Sequence, residues 1–155
     1  MAADLSANGS TVLIFNSPGG DSRATHQFLD SVLGEEQTRF LLEGAKVKIY
    51  KARGAAALLA FGLGSEWELS ANAKILFHLG GITVQRGNPD HFTQDGRIAA
   101  SIIESWKKYR SAVAELTKRL GLDADPHLQA ALWATGELEL SAQECLRRGL
   151  VSRLF

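Results

Sequence analysis

Thr11-Val12-Leu13-Ile14-Phe15 is apolar on both faces and runs directly into Asn16-Ser17-Pro18-Gly19-Gly20. A strand without polar alternation has to be covered on both sides, which is the situation of a parallel sheet flanked by helices. The Pro-Gly-Gly that follows cannot extend the strand and forces a sharp turn at its carboxyl end. Later segments keep the same grammar. Ala24, Phe28, Leu29 and Val32 have helical spacing within residues 21–33, and a second helical stretch over 35–42 stops at Gly44. Residues 47–50 read as a strand, 54–63 as an alanine- and leucine-rich helix, and 74–78 as a third strand. Strand alternating with helix predicts an α/β domain with a parallel sheet and crossover helices.

The pattern changes after Gly80-Gly81. Residues 82–84 read as extended and 87–94 as a polar loop, followed by a long helix over 95–120. Ile98, Ile102, Trp106, Tyr109, Val113, Leu116 and Leu120 fall in steps of three and four, one apolar stripe along one face. A helix of that span is roughly 39 Å long, more than a small domain needs to cover itself, so part of the stripe is expected to face another copy. Asp125-Pro126 opens a further helix, Ser141-Ala142-Gln143-Glu144 has the form of a capping box, and residues 150–155 read as a closing strand.

Length and charge narrow the function classes. The 155 residues suit one domain spanning 1–155, with 45% hydrophobic and 22% charged residues. Seventeen basic residues balance seventeen acidic ones, so there is no overall basic field to attract nucleic acid. Near-zero net charge also leaves self-association unopposed. The lone Cys145 cannot form an internal disulfide and reads as a packed helical thiol. Met1 to Leu5 has no leader-like pattern, and no apolar run reaches membrane-spanning length. A cytoplasmic protein without membrane contact is the expectation. No pair of histidines has metal-ligand spacing, and neither a metal nor a cofactor is expected. His26, His91 and His127 read as surface residues.

Four segments, taken in order, resemble the Clp-type serine peptidases. Asn16-Ser17-Pro18-Gly19-Gly20 is similar to that family's N-S-P-G-G turn. Asn72-Ala73-Lys74-Ile75-Leu76-Phe77-His78 resembles its N-A-R-I-M-I-H strand, which ends on the catalytic histidine. Gly80-Gly81 resembles the start of its handle region, here about residues 79–125. Leu140-Ser141-Ala142-Gln143-Glu144 through Gly149-Leu150-Val151 resembles the close of its domain. The resemblance covers most of residues 11–155 and implies the ClpP/crotonase-like fold with a shortened N-terminal unit, since residues 1–10 do not supply the family's extra strand and helix.

The resemblance also implies a site. His78 falls on the family's general base and Glu137 on its carboxylate, while Gly19, Gly20 and Gly54 fall on oxyanion-type backbone. The nucleophile position is occupied by Arg53 or, with a one-residue gap, by Ala52. Neither attacks a carbonyl: alanine has no nucleophile and arginine stays protonated. Ser17 belongs to the turn, and Ser65 and Ser70 follow the helix at its far end. A guanidinium at a helix N-terminus opposes the dipole by about 0.3–1 kcal/mol, so Arg53 is expected to seek solvent or a carboxylate, with Glu137 the expected partner.

The implied function is a catalytically silent homologue acting through self-association or peptide and ligand binding, with a Clp-type ATPase as a possible partner. An active peptidase with a displaced serine is one alternative, and an enoyl-CoA hydratase-like acyl-CoA enzyme is another. Against the last, Gly54-Ala55-Ala56-Ala57 replaces the usual glycine-rich segment.

Overall fold

The apolar run after residue 10 forms a strand, as its pattern requires, and a sheet is assembled around it. The computed structural model describes residues 2–5, 11–21, 24–25, 45–81, 91–93 and 96–155. The helices expected over 21–33 and 35–42 and the strand over 82–84 lie largely or wholly outside the described residues, as does His26.

Among the described residues the sheet has seven strands: β1 (Ala2–Leu5), β2 (Thr11–Ser17), β3 (Lys46–Arg53), β4 (Glu66–Leu69), β5 (Lys74–His78), β6 (Glu137–Ser141) and β7 (Arg153–Leu154). Four helices accompany it: α1 (Ala55–Gly62), α2 (Ala100–Arg119), α3 (Pro126–Thr135) and α4 (Ala142–Arg147). The molecule is mixed α/β. β3 is the organising strand, with Val47, Ile49 and Ala52 wholly buried. β2 lies parallel along one edge. On the other edge, β4 pairs in parallel with Lys46 to Ile49 and β5 with Ala52 and Arg53. β7 extends the β4 arm in parallel, and β6 extends the β5 arm.

The sheet is not wholly parallel. β6 runs antiparallel to β5, with His78 opposite Glu137 and Lys74 opposite Ser141. The reason is local: α3 ends at Gly136 in the left-handed region, and the Leu79 N–H donates to the Gly136 carbonyl at 2.8 Å. β6 therefore starts where β5 ends and can only run back. β1 is the second departure. Ala2 to Leu5 pairs antiparallel with Thr11 to Ile14, so the N-terminal segment does supply a strand and covers the β2 edge.

β4 is a strand that its composition concealed. Its Trp67 stacks on Phe61 at 5.8 Å and donates its indole N–H to the Ala60 and Leu63 carbonyls. Its Glu68, only 1% exposed, bonds Arg153 and lies near Lys46 and Lys48. The Arg153 hydrogen bond, reinforced by the neighbouring cations, holds the Glu68 carboxyl below its usual range.

α1 is buried along almost its whole length, with Ala57 and Ala60 fully enclosed. Its small side chains let it approach the sheet closely, and a helix without a polar face belongs in a core. α2 begins at Ala100 rather than at residue 95. Ahead of it, a Phe92–Ile98 bridge and the Thr93 N–H to Arg97 carbonyl bond, 2.7 Å, join residues 92–93 to residues 97–98 instead. The apolar stripe is divided: Tyr109, Val113 and Leu116 are buried in the common core, and Ile98, Ile102, Trp106 and Leu120 are half-buried. Asp125 caps its helix by accepting from the His127 and Leu128 amides, and Ser141 accepts from the Glu144 amide, but the Glu144 carboxylate turns to Arg147 and Arg148, so the expected capping box forms by half. Cys145 is fully buried, and burial pushes its thiol up to about 11. Among the described residues no helix is long and apolar enough to cross a membrane.

Candidate functional site

β2, β3 and β5 run in the same direction, and their carboxyl ends bring Pro18-Gly19-Gly20, Arg53-Gly54 and His78 to one edge of the sheet. In open α/β sheets this is where ligands bind. A cleft of about 760 Å³ opens there, walled on the far side by Ser105, Trp106 and Tyr109 of α2. Its size falls in the range of small-molecule and peptide pockets.

The first turn is set by Ser17, whose hydroxyl donates to the Gly19 carbonyl at 2.7 Å and accepts from the Gly19 amide at 3.3 Å. Gly19 has φ +140°, and a Cβ there would lie 3.5 Å from the Arg53 carbonyl, so the two turns adjoin. The Gly54 N–H donates to the Leu76 carbonyl at 2.8 Å and is thus part of the sheet, not a free donor toward the cleft. That corrects the role expected of Gly54. The donors left over at this corner are the amides of Ala55 and Ala56. The first turn of a helix gives them no partner, and α1 has no side-chain cap. Gly20 likewise has no backbone acceptor among the described residues.

Of the two residues weighed for the nucleophile position, Ala52 is wholly buried in the core and Arg53 lines the cleft. Arg53 does not pair with Glu137. Its Nη2 lies 3.8 Å from Glu139 Oε2, and Lys74 Nζ holds the other oxygen of that carboxylate at 2.7 Å. The register explains the choice: Arg53 is opposite Leu76, and Leu76 is opposite Glu139, so all three stand in one row across the sheet. Glu137 is two rows further on, opposite His78. The Lys74 hydrogen bond and charge, with Arg53 adding to them, keep the Glu139 carboxyl below its ordinary range.

His78 is half-buried, and its Nδ1 accepts the Gly80 N–H at 3.2 Å. In the neutral ring that bond assigns the proton to Nε2. No hydrogen bond joins His78 to Glu137, although the register sets them opposite each other; the exposed Glu137 instead uses its backbone N–H toward Thr135 Oγ1 at 3.2 Å. A base oriented by a carboxylate is therefore not assembled.

Two features of the cleft escape a reading of the chain alone. His91, expected at the surface, lines the cleft, because its carbonyl accepts the Ala99 N–H and ties it to the start of α2. His127 is exposed as expected. Ile102, Ser105, Trp106 and Tyr109 form the opposite wall at helical spacing, and the two hydroxyls within an otherwise apolar stripe were the available signal. Tyr109 is 2% exposed, its ring packs within 3.1 Å of where a Gly80 Cβ would stand, and its hydroxyl has no hydrogen-bond partner among the described residues. Burial pushes the Tyr109 phenol up to about 12. Ser65 and Ser70 donate their amides to Ala45 and Ile49, at or before the middle of β3, and neither lines the cleft. Among the described residues no group of three or more His, Cys, Asp or Glu side chains is placed to hold a metal ion.

Compared with family models and with curated proteins, the chain matches none.

Proposed function

We propose that this chain is a catalytically silent relative of the Clp-type serine peptidases, of ClpP/crotonase-like fold, which binds a peptide segment in the cleft and works as an assembly of copies. One observation carries the reading: the residue facing the cleft at the end of β3 is Arg53, held toward Glu139, where such a peptidase needs a nucleophile. His78 supports it, since the nitrogen that would be oriented by a carboxylate is occupied by the Gly80 amide. The uncommitted amides of Ala55 and Ala56 suit the carbonyl groups of an extended peptide, which need donors and no chemistry. A Clp-type ATPase belongs to this reading as a further partner, and the reading sets the protein in the cytoplasm.

The decisive experiment pairs two measurements on the purified protein. A fluorophosphonate probe is expected to label no serine, while fluorescence anisotropy detects binding of labelled peptides. Stoichiometric labelling overturns the reading. A second reading has one observation in its favour: Ser105 lines the cleft. It makes no hydrogen bond to His78 or His91, so an active hydrolase would need that contact to form on substrate binding. Labelling mapped to Ser105 would select it.

A further inference from the structure

Beside the cleft, α2 carries a cation that the protein positions and that no carboxylate neutralises among the described residues. The guanidinium carbon of Arg110 lies 4.6 Å from the centre of the Trp106 ring and 5.3 Å from that of Trp133. Both indoles are themselves held in place. Trp106 donates its N–H to the Gly80 carbonyl at 3.3 Å, and Trp133 donates to Gln129 Oε1 at 3.1 Å. Stacking against aromatic faces occupies the flat sides of a guanidinium and leaves its N–H edge for a planar acceptor.

Among the described residues no carboxylate pairs with Arg110, whereas Arg148 bonds two and Arg153 one. The neighbouring Lys107 and Lys108 are exposed and also lack a carboxylate partner among the described residues. In the same cluster the amide nitrogen of Gln129 is buried without an acceptor. Its orientation is settled by Trp133, whose N–H requires the oxygen on its side. The edge of Arg110 and the amide nitrogen of Gln129 are thus donors to which, among the described residues, no acceptor is bonded. Trp106 links this cluster to the cleft: it lines the cleft and also bears Arg110 against its ring.

We infer that Arg110, set by Trp106 and Trp133, is a specificity residue that binds a carboxylate on the polypeptide entering the cleft, so that the protein selects acidic segments. The inference rests on the peptide-binding reading above. Phosphate oxygens would also accept from the guanidinium edge, but a chain of zero net charge has no wider basic field to follow a nucleic-acid backbone. An acidic peptide is the better fit.

The test titrates the full chain, by anisotropy, against fluorescein-labelled alanine–serine octapeptides bearing a central Glu-Glu, Gln-Gln or Lys-Lys pair, each with a free or an amidated C-terminus. The Glu-Glu peptide should bind about tenfold more tightly than Gln-Gln, the gain of a charge-assisted fork, and amidation separates side-chain from terminal carboxylates. Arg110→Gln should bring the two within about twofold of each other. Trp133→Ala, at a 49% exposed position, should cut the preference to about threefold through loss of the stack, and it decides the matter if Arg110→Gln fails to fold by circular dichroism. Equal binding of the Glu and Gln peptides, or a preference that survives Arg110→Gln, overturns the inference and leaves peptide binding standing. Absence of binding by every peptide overturns both. Displacement of the Glu-Glu peptide by a single-stranded oligonucleotide at lower concentration, lost in Arg110→Gln, overturns it in favour of nucleic acid.

Discussion

A guanidinium in front of a helix N-terminus is electrostatically misplaced, and Arg53 answers this by leaning along its own row of the sheet toward Glu139. The pair is long and partly exposed, so it contributes little stability; what the end of β3 presents to the cleft is a guanidinium, which is no nucleophile. Arg53→Ser would place a hydroxyl there without creating a peptidase, because His78 Nδ1 remains engaged with Gly80 and Glu137 does not reach the ring. Hydrolysis of a fluorogenic peptide should stay at background, and a burst of turnover in this variant would refute the account of His78. Tyr109 poses the opposite problem. Its ring is well packed but its hydroxyl is buried without a partner among the described residues, and an unpaired buried hydroxyl costs about 1 kcal/mol or more. Tyr109→Phe should therefore leave stability unchanged or raise it by about 1 kcal/mol in urea unfolding. A clear loss would mean that the hydroxyl is bonded in solution.

At the level of elements, the two-residue strand β7 is fastened to β4 by charge as much as by its ladder. Glu68 accepts from Arg153 Nε at 2.8 Å and Nη2 at 3.0 Å, with Lys46 and Lys48 close by. The carboxyl titrates below its ordinary value of 4.5 in the folded protein. A depressed carboxylate stabilises the fold fully above its unfolded value, and that contribution is lost as pH falls through the folded value. Glu68→Gln should cost roughly 1–2 kcal/mol at pH 7, since it leaves Arg153 and Lys48 without their anion but near water, while Lys46 keeps Glu66. The gap between variant and wild type should close in denaturation curves taken below pH 4.5. A gap that is constant with pH would assign the role of Glu68 to packing. These elements also mark where the chain was readable. β2, α1, β5 and the Asp125 and Ser141 caps followed from runs and local chemistry. β4 did not, because Glu-Trp-Glu-Leu reads as polar until Arg153, 85 residues away, neutralises Glu68.

For the molecule as a whole, the apolar stripe supports self-association only through its half-buried residues, since Tyr109, Val113 and Leu116 are covered within the chain. Assembly rests instead on the proposed kinship. Exposed Tyr50, Trp133 and Phe155 are available to a second copy. Light scattering at micromolar concentration should give a mass above the 16.8 kDa of one chain; a strict monomer would remove the assembly from the proposed function and leave the peptide-binding cleft untouched.

What the sequence determined by itself was local: an α/β chain, a buried strand ending in a glycine turn, a small-residue helix, and the absence of a nucleophile at Ala52-Arg53-Gly54. Hydrophobic period, capping and side-chain chemistry act within a few residues, so they are written in the order of the chain. The tertiary structure decided everything that depends on which residues stand opposite one another. Glu137 and Glu139 share a face of β6 and look equivalent in the sequence, and only the register across Leu76 gives Arg53 to Glu139. The reversal of β6, the entry of His91 into the cleft and the meeting of Arg110 with Trp133 are likewise products of strand pairing and helix packing. Those contacts join residues far apart in the chain, and no local pattern encodes them.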